Sequence, residues 1–352
     1  MPSNTRQSNF ELLRCVCMLM VLNLHSFWGY ESESGPLQAL DFLRESFSIC
    51  AVDCFILISG YFSIKWKWNS FFNLVFQVFF YAFVIYFFCV FFRISEFEKS
   101  QFLECFKSLY KFWGFISYYF ILYFISPLLN AFAEKTNNKN LLLYIFVLFF
   151  AENFILRPVE GPLNFCLLYL IGRWLSKTAM INKITFSPLK GYVLTSVLIF
   201  IIVYLLYLIL HLNAEQINKL IIGYSYSSPF VILQAIFLFL VFGRLKIQNK
   251  FINWCAVSCL SVFLIHMHPT IKYIGYYSFT RNLYQKNFFE HGFMLLALII
   301  AVFFASIFID KMRIIISLLC KKIIETLFSW VGPLTNHLLS KFEDDENATE
   351  NR

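Results

Sequence analysis

FELLRCVCMLMVLNLHSFW, residues 10–28, is long and apolar enough to cross a bilayer as a helix, yet it carries Arg14 and His25 inside it. The interval between them is about three helical turns, so both side chains fall on one face, about 16 Å apart along the axis. Ionisable groups at membrane depth are costly unless they line a cavity or find partners, which makes the pair the first candidate for function. Arginine binds phosphate in bidentate fashion, and histidine titrates near neutral pH and can take a proton from a hydroxyl. The layout therefore suits a cofactor with a phosphate head and a long reactive arm. The alternative is that Arg14 snorkels to the headgroups and His25 hydrogen-bonds inside the bundle.

The rest of the chain repeats this texture. With 59% apolar residues, 46 Phe among 352 residues and a mean hydropathy of +0.66, there is too little polar surface to cover a soluble globule. Apolar runs at 10–28, 47–64, 70–92, 112–130, 141–156, 162–177, 192–211, 228–243, 253–274 and 292–310 predict an all-α polytopic membrane protein of about ten transmembrane helices. The first span, with no small-residue cleavage site around it, is expected to be retained rather than removed as a signal peptide. An even count puts both termini on one side, and 19 of the 29 Lys/Arg fall on that side, which is the signature of the cytoplasm. Acids lean the other way, with 12 of 21 toward the far face. The net charge of +8 is thus an orientation signal, with no nucleic-acid footprint.

Residues 1–310 form the expected membrane domain. Residues 311–340, with Lys321, Lys322 and Glu325 among apolar neighbours, predict an interfacial amphipathic helix, and 341–352, KFEDDENATENR, a disordered acidic tail. No separate soluble domain and no internal repeat is expected. Most of the ten cysteines lie in apolar runs and read as small packers. Cys50 with Cys54, and Cys255 with Cys259, stand one turn apart, but no acidic or histidine set completes a metal site, so no metal is predicted.

Three further stretches carry polar groups. In SICAVDCFILISGYF, residues 48–62, Asp53 either orients a histidine from the neighbouring helix or faces water at the outer interface. Ser59 and Gly60 close that run, and Gly60 permits close helix approach or a backbone opening. In FLIHMHPTIKYI, residues 263–274, Pro269 removes a backbone donor and predicts a bend that exposes carbonyls and a histidine to a cavity. His266 and His268, two apart, point to different helix faces, which argues against a metal pair. Glu152, Arg157 and Glu160 surround AENFILRPVEGPLNF, read as a solvated outer loop that meets either water or a substrate. Trp28, Trp66, Trp68, Trp113 and Trp174 fall near predicted span ends, as interfacial belts require, and Tyr118, Tyr119 and Phe120 serve either packing or the stacking of a sugar ring.

These residues resemble the integral-membrane acyltransferase family 3, whose members acylate bacterial surface carbohydrates. Arg14 and His25 match its first-helix motif, and AVDCFILISGYF is similar to its second-helix signature, closed by Ser59-Gly60. ISYYFILYFISPLLN, GPLNFCLLYLIGRWL and VFLIHMHP follow in the family's order, with His266 at the matched late position. The resemblance covers residues 9–269 or so. It implies an O-acyltransferase of the bacterial inner membrane, with acetyl-CoA as cytoplasmic donor and a carbohydrate acceptor on a surface polysaccharide or lipid-linked saccharide. In that reading Arg14 holds a coenzyme A phosphate, His25 is the catalytic base and Asp53 its orienter. The Arg-x-x-Arg motif of some members is missing, and Met267 stands where an acidic residue is common. No appended esterase-like domain is expected, so transfer would finish within the membrane unit. The rival expectation is a transporter or flippase of lipid-linked sugars, for which a membrane histidine and a broken helix are also equipment.

Overall fold

The computed structural model describes the backbone of residues 6–26, 36–155, 161–210, 220 and 222–350, and the side chains among these except at 36 and beyond 319. Among the described residues every regular element is a helix. The chain opens with α1 (Ser8–His25), α2 (Pro36–Ser48), α3 (Ala51–Phe62) and α4 (Trp68–Phe91). After α5 (Lys99–Cys105) and α6 (Gly114–Lys135), α7 (Asn138–Phe150) runs into a π turn at Ala151–Ile155. There follow α8 (Pro162–Thr178), α9 (Pro188–Leu210), α10 (Pro229–Gly243), α11 (Lys250–Ala256), α12 (Cys259–His266), α13 (Tyr276–Leu283) and α14 (Phe288–Glu350). Local chemistry sets several starts. Asn137 accepts the Asn140 amide at 2.8 Å to cap α7, Asn249 caps α11, and proline opens α8 and α10 where its missing N–H costs nothing.

Two compact units divide the chain, residues 1–306 and 307–352. In the second, Arg313 Nε donates to buried Asp310 at 2.6 Å. The expectations for the Lys321, Lys322 and Glu325 face and for the acidic tail concern side chains outside the described residues.

The described helices fall into two populations. Trp68–Phe91, Gly114–Lys135, Asn138–Ile155, Pro188–Leu210 and Phe288–Leu319 are long and apolar enough to cross a membrane, and Lys250–His266 with Pro269–Leu283, bent by 69°, makes a sixth if that pair is one span. The other predicted runs correspond to α1, which equals Asn138–Ile155 in length but carries Glu11, Arg14 and His25, and to α3, α8 and α10, of 12, 17 and 15 residues. These four helices form the interior: Leu13, Cys17 and Leu22 of α1 and Ile56, Leu57 and Ile58 of α3 are fully buried. The longer ones turn apolar side chains outward, with Phe91, Leu194 and Ile209 at least two-thirds exposed. A surface this apolar belongs in hydrocarbon, where polar groups must be satisfied inside the protein. Within the interior, α3 and α8 cross at two glycines. A Cβ on Gly60 would lie 2.2 Å from the Tyr169 carbonyl oxygen, and one on Gly172 would lie 2.4 Å from that of Leu57 and 3.0 Å from the Gly60 Cα. Gly60 thus serves close helix approach, and the Gly172-Arg173 segment supplies its counterpart. Beside the crossing, the Tyr169 hydroxyl donates to Asn130 Oδ1 at 2.8 Å and accepts the Ile64 amide at 2.9 Å, pinning the chain as it leaves α3.

Several sequence expectations change here. The helix α2 was not foreseen, because its apolar positions are spaced for one face of an amphipathic helix and form no continuous run. Glu152 is not on a solvated loop: it is buried in the π turn, with no hydrogen-bond partner among the described residues. Arg157, Glu160 and Trp28 lie outside the described residues. Trp113, expected in an interfacial belt, is 2% exposed and packs in a core with Tyr81, Tyr86 and Ile116. The break expected at Pro269 is present, with Met267 and His268 leaving the helix ahead of it.

Gly60→Ala is expected to destabilise the protein by more than the roughly 1–3 kcal/mol of an ordinary overpacked core, seen as a lower melting temperature in detergent, because the clash is with backbone that cannot rotate away. Gly292→Ala, whose new methyl meets nothing within 4 Å, should leave it unchanged or raised in the same scanning-fluorimetry experiment.

Candidate active site

Arg14 and His25 open onto one partly open cavity of about 710 Å³, so the stripe read from α1 lines a cavity wall. Between them the lining is largely apolar and aromatic, including Met18, Phe55, Phe115, Phe165 and Phe263. Arg14 donates through Nη1 to both carboxylate oxygens of Glu11 at 3.0 Å, one turn back on the same helix. Glu11 is itself 7% exposed, so the two charges compensate one another at the start of α1.

At the other end, His25 Nδ1 meets His266 Nε2 at 2.8 Å. The register of α1 against the segment from α11 to α12 brings the two rings together. The Ser8 hydroxyl accepts the Asn249 amide at 3.0 Å, the thiols of Cys15 and Cys259 meet at 3.8 Å, and the two histidines come next along the same line. His266 Nδ1 donates to the Val262 carbonyl at 2.6 Å, which leaves Nε2 of neutral His266 as an acceptor. His25 must then donate from Nδ1, and in the neutral pair its Nε2 is the unprotonated nitrogen. The end of α1 is fixed by α13. The Tyr276 hydroxyl donates to the Leu22 carbonyl at 2.6 Å, satisfying a group that the helix terminus leaves open, and its ring lies 5.5 Å from that of His266. Above it, Tyr284 donates to Asp41 at 2.8 Å, while Arg44 of α2 pairs with Asp41 and reaches Asn23 and Ser26 at 3.4 Å.

The remaining sequence candidates separate. Asp53 is fully buried in the first turn of α3 and does not line the cavity. The contact at His25 Nδ1 is made with His266. Ser59 lines the cavity while its hydroxyl donates to the Phe55 carbonyl at 2.9 Å, and Gly60 belongs to the helix crossing. Tyr118 and Tyr119 line the cavity, whereas Phe120 packs into the core. His268 turns away from His266: its Nε2 donates to the Ala82 carbonyl of α4 at 3.1 Å, and its Nδ1 accepts the Thr270 amide. Sequence reasoning missed Tyr276 and Lys272. For Lys272 a signal was present, a cation three residues beyond the proline that breaks an apolar run.

A family model described as an acyltransferase domain matches residues 7–310. Comparison with curated proteins and with solved structures gives no match in either case. The matched range takes in both α1, which carries Arg14 and His25, and α12, which carries His266. It spans far more than half of the chain, and this membrane protein therefore belongs to acyltransferase family 3.

Proposed function

We propose that the chain transfers an acyl group, most simply acetyl, from a coenzyme A thioester to a hydroxyl of a cell-surface or lipid-linked carbohydrate. The observation that carries this reading is the single cavity lined by both Arg14 and His25, in which His25 has a defined hydrogen-bond partner. The axial separation of about 16 Å suits the pantetheine arm, with a coenzyme A phosphate on Arg14 and the thioester near His25. The apolar wall between them suits an uncharged chain and excludes water from the thioester.

In this mechanism Nε2 of His25 takes the proton of the acceptor hydroxyl as its oxygen attacks the thioester carbonyl. The tetrahedral adduct then collapses, the C–S bond breaks, and the coenzyme A thiolate leaves with the proton returned from the imidazolium. His266 is the positioning residue. It accepts the Nδ1 proton of His25, and it shares the charge of the imidazolium through the bond that ends on the Val262 carbonyl. The short helices α1, α3, α8 and α10 complete a ten-span bundle in the bacterial inner membrane with both termini cytoplasmic. That arrangement turns the Arg14 end toward the cytoplasmic donor and the His25 end toward the acceptor.

His25→Ala should lower transfer by about 10²–10⁴-fold while coenzyme A binding, measured by calorimetry, is kept; full activity would refute the base. His266→Ala should lower kcat by about 10²-fold with the donor KM unchanged and the pH–rate profile displaced, whereas a merely structural role would leave the profile of the surviving activity in place. Arg14→Ala strands the buried Glu11 carboxylate, so the clean comparison is Glu11→Gln with Glu11→Gln/Arg14→Ala. The double variant should show a raised donor KM, and equal values in the two would remove the phosphate role. Mass analysis of surface glycan from cells with and without the protein should differ by an acyl group, whereas loss of the whole polymer would point to transport.

A further inference from the structure

Lys272 is a second cation on the wall of the cavity that holds Arg14 and His25. It ends the four-residue turn Pro269–Lys272, created where the chain breaks and bends by 69°, and it stands six residues after His266. It is partly exposed, and its ammonium lies 4.7 Å from the centre of the Tyr273 ring, a side chain that is 64% exposed. Lining a cavity while remaining partly exposed puts it at the rim.

Arg14 and Lys272 are the two Lys/Arg side chains on the cavity lining, and their charge environments differ. Arg14 is paired with Glu11. Among the described residues Lys272 has no carboxylate within ion-pair distance, and a ring face is its one recorded partner. An aromatic face offsets part of the cost of a cation in apolar surroundings, but it leaves all of the charge available to an incoming anion. An ammonium on a flexible stem is a mobile point charge, suited to holding a phosphate or carboxylate. Stabilising a developing oxyanion asks for rigid, prealigned donors, which a partly exposed side chain on a four-residue turn does not supply.

We infer that Lys272 binds an anionic group of the acceptor, a phosphate or a carboxylate, at the His25 end of the cavity. This rests on the reading that donor and acceptor meet in that cavity. With the coenzyme A phosphate assigned to Arg14, the tail that reaches His25 is uncharged, so an anion at the far rim has to come with the acceptor. The acceptor class is then a saccharide bearing phosphate, as in a lipid-linked sugar, or an acidic sugar, and a neutral glycan is a poor substrate.

The test is binding to the purified full chain, read by isothermal titration calorimetry, with glucose 1-phosphate, methyl glucuronide and methyl glucoside as probes. At least one anionic probe should bind about tenfold more tightly than the glucoside, and which one it is separates the phosphate source from the acidic-sugar source. Lys272→Gln should abolish that preference with an unchanged melting temperature. Lys272→Arg should keep it, and so should the Glu11→Gln/Arg14→Ala double variant. No preference in the parent chain, or a preference that survives in Lys272→Gln or is lost in that double variant but kept in Glu11→Gln, overturns the inference. The readout needs no turnover: a chain that prefers anions through Lys272 yet transfers no acyl group refutes the acyl-transfer reading alone. A chain that transfers acyl groups with no anion preference refutes the role of Lys272 alone.

Discussion

The parallel register of α1 against the segment Lys250–His266 governs the rest of the structure. Ser8 meets Asn249, Cys15 meets Cys259 and His25 meets His266, at sequence separations of 241, 244 and 241 residues. Each residue advances a helix by about 100°, so a slip of one position at Ser8 would turn His25 off the line of His266 and Arg14 off the cavity wall. The polar contacts at the start of α1 therefore matter beyond their own energies. Asn9 adds to them by donating to the Phe242 carbonyl at 3.1 Å, tying α1 also to the end of α10.

Around that register the molecule inverts the layout of a soluble globule. The longest helices lie outside, where hydrocarbon tolerates their apolar faces, and shorter helices that carry buried polar groups such as Glu11 and Gln234 lie inside, where the protein itself supplies partners. The twelve-residue α3 fits in the middle because Gly60 and Gly172 let two backbones approach until a single methyl group would collide with a carbonyl oxygen. Contact this close replaces the hydrophobic driving force that helices lose when their solvent is lipid.

The break at Pro269 does three jobs within seven residues. His266 ends α12 against His25, His268 bonds to α4 and caps the next turn, and Lys272 reaches the cavity rim. An unbroken helix would carry these three side chains at successive angles around one axis and could not present a ring on one wall and an ammonium at the opening of the same cavity. Using an imidazole beside His25 also has a consequence in a low-dielectric site. The neutral pair carries no charge to desolvate until a proton arrives, and then shares it between two rings.

How far the sequence could be read follows from the range of each interaction. Helical periodicity is local, so the common face of Arg14 and His25, the membrane class and the break at Pro269 were all legible in short stretches of chain. Lipid-facing composition was legible too, because hydrocarbon selects side chains one at a time. The contact of His25 with His266 was not. Pairing depends on which helix lies alongside, and His266 is brought there by a register set more than 240 residues away in the chain. The burial of Glu152, the meeting of Gly60 with Gly172 and the inward placement of the shorter helices have the same origin. Sequence alone determined which face of each helix carries the chemistry; tertiary packing decided what that face meets, because a contact between distant segments leaves no periodicity in either of them.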